Sequence, residues 1–342
     1  MSLTLSILDL APVGPGQSPR ESFAASVELA RVAERVGYRR VWYAEHHNMA
    51  SIASSATSVL IGHVADHTSS IRLGAGGVML PNHAPLTIAE QFGTLETLHP
   101  GRIDLGLGRA PGSDQVTMRA LRRDATSSDT FPQDVLELQG YLQGRSRVPG
   151  VQAVPGAGTN VPLYILGSSL FGAQLAARLG LPYAFASHFA PEALHAAVAR
   201  YRAEFRPSEQ LAEPYLIVGA NVVAADDTDE AQQQFAAVRR RRVRSMISRR
   251  SAAQEYSDAE IDAFLTTANG RQIADMMRYT AVGTGDEVRR FLAQFADSVD
   301  ADELIVAHHA QDVTARLRSV ELTATAMGLG VEETHLVTGT TS

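Results

Sequence analysis

Along the whole chain, short and nearly continuous apolar runs alternate with longer stretches in which apolar residues recur every three to four positions. The short runs predict strands at Leu5–Leu10, Val41–Ala44, Arg72–Leu80, Ile103–Leu107, Val161–Leu166, Tyr183–Ala186, Tyr215–Ala224 and Glu303–Ala307. The helical periodicity predicts helices over Phe23–Val36 (closed by Gly37), about Ala53–Asp66, Pro85–Leu98, Gly172–Leu179, Glu192–Phe205, Thr228–Arg250, Gly285–Phe295 and Val313–Met327. Strands apolar on both faces and alternating with helices belong to a parallel sheet covered on its outside. Eight such units favour a closed α/β barrel, the (β/α)8 TIM barrel, over an open doubly wound sheet.

Such a barrel needs roughly 250 residues, and the chain has 342. The surplus falls at about 110–160, rich in Gly and Pro, and at about 226–280, a helical stretch rich in arginine. Both follow predicted strands, so both are expected to be insertions on the C-terminal face, where barrel active sites form. The expectation is one barrel domain over 1–330 and a small, polar, flexible tail over 331–342.

Composition narrows the chemistry. All 30 of the Lys+Arg residues are arginine, and there is no cysteine. Lysine Schiff bases and lysine phosphate clamps are excluded, as are thiol nucleophiles, thiolate metal sites and disulfides. With 37 acidic residues the formal charge is −7, which argues against bulk nucleic-acid binding. There is no apolar run of membrane-spanning length and no signal-peptide pattern at Met1–Leu10, so a cytoplasmic protein is expected. The run Arg239–Arg242 with Arg244, Arg249 and Arg250 reads as a solvated helix, or as a helix covering a subunit interface or the active-site mouth, with acids at Asp226, Asp227, Asp229 and Glu230 just upstream.

Four strand ends carry candidate chemistry. Trp42–His47 ends in Glu45-His46-His47. Side chains alternate along a strand, so Glu45 and His47 share one face and His46 takes the other. That geometry lacks convergent metal ligands, as does His308-His309, and no metal is expected. In Leu73–Pro81 the pair Gly76-Gly77 interrupts a buried strand, which suits a bend or the close approach of a ligand. His99–Arg109 ends in glycines and then Arg109, suited to a phosphate or carboxylate or to a surface ion pair. Leu163–Gly172 places Ser168 and Ser169 between a strand and a helix start, which makes a phosphate cradle or an ordinary N-cap.

Taken together, Val41–His47, Ile71–Pro85, His99–Ala110 and Ile165–Gly172 resemble the bacterial-luciferase-like flavin-dependent monooxygenases. Ser6–Pro12, Ala186–Pro191, Ala301–Val306 and Ala315–Ser319 extend the likeness, closest to the single-chain branch, over nearly the whole chain. The resemblance implies a barrel binding FMN at its C-terminal mouth. Arg109 and the turn Ser168, Ser169 and Gly172 would hold the phosphate, with Leu166 and Ala11 also lining the cofactor. Gly76-Gly77 matches the place of a non-prolyl cis peptide under the flavin ring. His46 matches the histidine near the reaction centre, with Glu45 beside it and His188 as a further pocket residue. At Gly108 the chain departs from luciferase itself, which has a reactive cysteine there, so light emission and the aldehyde substrate are not carried over.

The resemblance thus implies a monooxygenase using reduced FMN and O2 on a small organic substrate. Electrons would come from NAD(P)H directly or through a separate flavin reductase, and the enzyme would be a homodimer without nucleic-acid or membrane partners. Two alternatives remain: a deazaflavin-dependent hydride-transfer oxidoreductase of the same fold, and a non-catalytic flavin-binding protein.

Overall fold

A computed structural model describes residues 3–110, 114–248 and 256–330. The tail over 331–342 and the pair Arg249-Arg250 lie outside the described residues. The first half runs β1 (Thr4–Asp9), α1 (Pro19–Val36), β2 (Arg40–Tyr43), α2 (Thr57–Ala65), β3 (Arg72–Met79), α3 (Pro85–Leu98), β4 (Ile103–Gly108), α4 (Gln115–Ala120) and α5 (Phe131–Leu142). The second half runs β5 (Leu163–Gly167), α6 (Leu170–Leu179), β6 (Tyr183–Phe185), α7 (Leu194–Glu204), β7 (Leu216–Ala224), α8 (Thr228–Ser248), α9 (Asp258–Leu265), α10 (Ala268–Asp275), β8 (Thr280–Gly283), α11 (Gly285–Val299), β9 (Glu303–His308) and α12 (Val313–Met327).

Eight parallel strands close into a barrel in the order β1, β2, β3, β4, β5, β6, β7, β9 and back to β1. These are the eight strands that the apolar runs predict. β8 is an addition. β7 is nine residues long, pairing with β9 along one edge through 217–222. On its other edge β6 takes 216–218 and β8 takes 221–224, so β8 extends the sheet beyond the short β6. Helix α1 begins earlier than its apolar periodicity, because Ser18 and Glu21 form a capping box in front of it. Among the described residues no helix is long and apolar enough to cross a membrane.

The stretch 110–160 divides in two. Near the mouth, Asp114 caps α4 and accepts from Asn48 at 3.3 Å. α5 is the barrel helix between β4 and β5, and the return after it runs beneath the barrel. There Arg145 pairs with Glu209, and Gln210 bonds both backbone groups of Leu163. The Pro149-Gly150 and Pro155–Gly158 turns therefore do not rise from the active-site face as the sequence suggested. A parallel crossover has to bring the chain back to the strands' N-terminal end.

Two packing zones follow from strand alternation. Outward residues such as Ile7, Val41, Leu73, Leu105 and Val306 pack under the helices. Inward, Leu8, Trp42, Ala44, Tyr164, Ala184, Ile217 and Ile305 form an apolar layer. Below it lies a charged layer. Arg40, only 1% exposed, donates to Glu303 at 3.0 and 3.1 Å, to Asp104 at 2.6 Å and to the Tyr164 hydroxyl at 2.8 Å. Ser6 and Tyr215 donate to Glu303, and Trp42 Nε1 and Arg72 donate to Asp104. Burial opposes the Arg40 charge, but the two carboxylates outweigh it and raise its pKa. Arg40→Met should cost about 3–5 kcal/mol, because two carboxylates then stay buried without their cation. Arg72→Met, at the rim of the layer, should cost less; urea unfolding of both variants checks the ranking.

On the outside, His308 is wedged between Tyr38 of the α1–β2 loop and Ser319 of α12, at 3.3 and 2.9 Å. Burial and the nearby Arg316 charge hold its imidazole down at about 3. The unfolded chain protonates this ring near 6.5 and the folded chain does not, so stability is full above that value and falls as pH drops toward 3. His308→Gln should flatten unfolding free energy against pH in this window by up to about 1.4 kcal/mol per pH unit. An unchanged slope would assign the acid lability elsewhere.

Candidate active site

The inward alternation continues past the strand ends and selects the groups at the mouth. Arg40, Trp42 and Ala44 lead to His46, Ile217 and Gly219 to Asn221, and Ile305 and Ala307 to His309, while the turn after β6 brings His188 against Gly219. The opposite parity sends Glu45, His47 and His308 away from the barrel axis. Neighbouring histidines therefore have different surroundings in both His-His pairs.

Glu45 is 1% exposed and heavily bonded. It accepts from the Met79 amide at 3.0 Å, His47 Nε2 at 2.8 Å, His83 Nε2 at 2.9 Å and Asn82 Nδ2 at 3.3 Å. Burial alone would raise its pKa, but the hydrogen bonds from the two imidazoles, the charge of His83 and the amide win and bring it to about 2. The same bond raises the pKa of His47. Glu45 thus fixes the segment after β3 rather than facing the mouth. One ligand atom from each of Glu45, His47 and His83 lies within 4.8 Å of the others, so these three could hold a metal ion. Sequence reading found no third ligand here; His83 supplies it from the β3–α3 connection.

His46 is half-buried, and its amide donates to the Ser54 carbonyl at 3.1 Å. His188 lies against Gly219, where a Cβ would come within 2.3 Å of its Nδ1. Burial, the Arg242 charge and His46 lower the pKa of His188 to about 4. Asn221 ties this side together: its Nδ2 donates to the His188 carbonyl and its Oδ1 lies 2.8 Å from His309 Nε2, both bonds being 2.8 Å. Burial, Arg316 and Arg242 bring His309 to about 3. Both rings sit deep in protein, and with their pKa values lowered this far both are neutral at pH 7.

Across the mouth, Arg109 is exposed and stands over the Phe171 ring at 4.1 Å. Phe171 belongs to the first turn of α6. Ser169 occupies the N-cap in extended backbone, but its side chain makes no capping bond. Arg109 therefore stands beside the N-terminal end of α6, where Ser168 and Ser169 lie, and this exposed place suits an anion. Gly172 packs its Cα against Gly167 and the Tyr183 ring, which lets α6 start close to β5.

Between these two sides the floor is glycine. The Gly76-Gly77 peptide is cis. A Cβ on Gly76 would meet Trp42 at 2.9 Å, and one on Gly77 would meet the Gly106 carbonyl at 2.8 Å. Leu166 covers Gly106, and the Met79 sulfur lies 2.8 Å from where a side chain on Gly108 would begin. Ala11 is wholly buried behind the mouth with φ 45°; its amide donates to Asp9 and its carbonyl accepts from Ala53. Of the residues singled out from sequence, His46, His188, Gly76, Gly77, Arg109, Leu166, Ser168 and Ser169 thus gather at or near the mouth. Ala11 and Glu45 lie behind it, and Gly172 forms the back of the α6 start.

Asn221, His309, Phe171 and His83 were missed as site residues. Asn221 had a legible signal, a polar residue at an inward position of an apolar strand. The arginine helix is also sorted by the fold. Arg240 and Arg244 pair with Asp262 and Asp258 of α9, while Arg241 reaches the Ala310 carbonyl beside His309 at 3.4 Å.

The family model for luciferase-like monooxygenases matches residues 3–302. A luciferase-like monooxygenase of Escherichia coli K12 is 49% identical over 323 residues, which cover 94% of this chain and 96% of that protein. The N-acetyl-S-alkylcysteine monooxygenase of Bacillus subtilis 168 is 30% identical, covering 95% of this chain and 98% of its own length. The crystal structure of apo-MsnO8 superposes with a TM-score of 0.86 at 37% identity, over 96% of this chain and all of that one. Sequence likeness over almost the full length, on the same closed barrel, makes this chain a member of the luciferase-like monooxygenase family.

Proposed function

We propose that the chain is a monooxygenase that uses reduced FMN and O2 on a small organic substrate at the C-terminal mouth. The observation that carries the reading is Arg109 stacked on Phe171 beside the uncapped start of α6, facing His46 across a glycine floor. Arg109, the Ser168 and Ser169 hydroxyls and the first amides of α6 would hold the phosphate. Gly76, Gly106 and Gly108 let Trp42, Leu166 and Met79 pack directly against the backbone, which would give a flat ring system a close-packed floor. When bound, reduced flavin supplies the electrons and the reaction with oxygen that no side chain here can supply.

His46 is the group placed to give or take a proton at the reacting end, imidazole being the side chain that titrates closest to neutrality. Leu10, Trp42, Leu166 and the half-buried imidazoles would keep water from the reacting atoms. A cytoplasmic homodimer supplied by NAD(P)H or a separate reductase completes the reading. The relative that acts on N-acetyl-S-alkylcysteines makes small thioethers the first substrates to try.

Mixing the protein with reduced FMN under argon and then admitting oxygen tests this directly. Flavin reoxidation should differ from that of free flavin and change again with substrate; reoxidation at the free-flavin rate, unaffected by substrate, would overturn it. A parallel titration with a deazaflavin cofactor decides which carrier is bound. Arg109→Met should weaken FMN roughly tenfold or more, the loss expected for a charge-assisted hydrogen bond, and leave riboflavin unaffected. His46→Gln should retain FMN affinity while lowering kcat roughly 10²–10⁴-fold; a wild-type kcat would instead favour a flavin-binding protein without this catalytic role.

A further inference from the structure

Two residues of one strand parity, Glu45 and His47, lie just past the end of β2 and turn away from the barrel axis. The fold brings a third, His83, to them from the turn between β3 and α3, 38 residues from Glu45. We propose that Glu45, His47 and His83 form a binding site for a divalent transition-metal ion of the zinc class, which clamps the continuation of β2 to the connection between β3 and α3. The site lies behind the mouth, so it does not depend on which cofactor or substrate binds there.

Three observations carry it. First, the ligand atoms converge. Nε2 of His47 lies 2.8 Å and Nε2 of His83 2.9 Å from the same carboxylate oxygen, Glu45 Oε1. A tetrahedral zinc ion with bonds of ~2.0–2.2 Å needs its ligand atoms roughly 3.3–3.5 Å apart, so each imidazole has to move by only about half an ångström to admit it. Second, the groups are already held in place. The Met79 amide fixes Glu45 Oε2 at 3.0 Å, and His83 Nε2 lies 3.1 Å from that oxygen as well, so this ring sits across the open edge of the carboxylate. The His83 amide donates to the Leu80 carbonyl at 2.9 Å, which fixes the turn that presents the ring. Third, burial is combined with access. The Glu45 side chain is 1% exposed, while those of His47 and His83 are 20% and 29% exposed, which gives an ion a route in and lets solvent complete its coordination.

The donor set selects the ion. Two imidazole nitrogens and one carboxylate oxygen suit zinc and its first-row neighbours, whereas magnesium and calcium prefer oxygen ligands. In the hydrogen-bonded arrangement Glu45 Oε1 accepts from both rings and also from Asn82 Nδ2 at 3.3 Å, three donors on an oxygen with two lone pairs. One cation in place of the two ring N–H donors removes that crowding and gives the buried carboxylate the positive charge it calls for. His46 sits between two of the ligands, and Gly76-Gly77 lie just before Met79, so a bound ion also fixes the backbone behind the mouth.

The test uses the full-length protein without a histidine tag, stripped with a chelator, and titrates Zn2+ with Mg2+ as the control. Calorimetry should show one tightly bound Zn2+ per chain and no Mg2+, and Tm should rise with the Zn2+ concentration. His47→Gln and His83→Gln, each keeping a donor toward Glu45, should weaken Zn2+ by at least roughly 10–100-fold, the loss that removing even a supporting partner of a ligand brings, and should abolish the Tm rise. The exposed pair His63 and His67 on α2, with ring centroids 4.7 Å apart, offers zinc an adventitious surface site. His63→Gln/His67→Gln should therefore leave the tight binding unchanged. No Zn2+ binding, binding unchanged in both His47→Gln and His83→Gln, or binding lost in the α2 variant would overturn the proposal. The imidazole NMR signals of His47 and His83 in the unaltered protein read the same site without any substitution: Zn2+ should shift both and Mg2+ neither, and signals that stay in place with Zn2+ would overturn it equally.

Discussion

The architecture depends on Arg40. A closed eight-stranded barrel encloses side chains from every strand, and here the lowest layer contains two carboxylates, Asp104 on β4 and Glu303 on β9, from opposite sides of the ring. A single guanidinium on β2 spans between them and shares a tyrosine hydroxyl with the same layer. A buried ion pair contributes little net stability when its partners could be replaced by apolar groups, yet it is costly to break from one side. Its effect here is specificity of register. β2, β4 and β9 fit the charged layer in one alignment, and a shift of one residue would face all of these charges outward.

That register decides the active-site residues. Once Arg40 and Glu303 point inward, so must His46 six residues on and His309 six residues on, because the side-chain period is two. The runs Glu45-His46-His47 and His308-His309 look redundant as text. The fold gives their members separate tasks: carboxylate anchor and partner, mouth imidazole, outer wedge, mouth imidazole. The glycines at the inward positions 74, 76 and 106 follow from the same constraint, since Trp42, Asp104 and Leu166 already fill the space where their side chains would begin.

Much of this was legible in the sequence, for physical reasons. Barrel strands are buried on both faces and appear as apolar runs, so all eight were found, and alternation separated His46 from Glu45 and His47. What was missed depends on tertiary contact. β8 is four residues long and is a strand only because β7 outlasts β6 on that edge. α5 lay hidden in a stretch dominated by Gly and Pro signals. His83 joins Glu45 from a separate connection 38 residues away, and no local pattern announces such a meeting. Asn221 could have been found by carrying the alternation of β7 to its end.

Lack of lysine and cysteine bears differently on the two sides of the mouth. On the β4–β5 side, an arginine stacked on an aromatic ring supplies a planar, fixed donor set, which suits a ligand always presented in the same pose. On the β7–β9 side, the arginines sit on a long helix in an insertion, which buries Ala231, Val238 and Val243 in the protein and pairs Arg240 and Arg244 with the acids of α9. A site at the strand ends and a helix in an insertion are suited to different work. The first is built into the barrel register and cannot change without changing the fold. The second can exchange its exposed side chains while buried Ala231, Val238 and Val243 and the Arg240 and Arg244 pairs keep the helix in place. Substrate choice in a fold whose chemistry comes from a cofactor is therefore expected to reside in the β7 insertion, where altering a contact leaves the barrel intact.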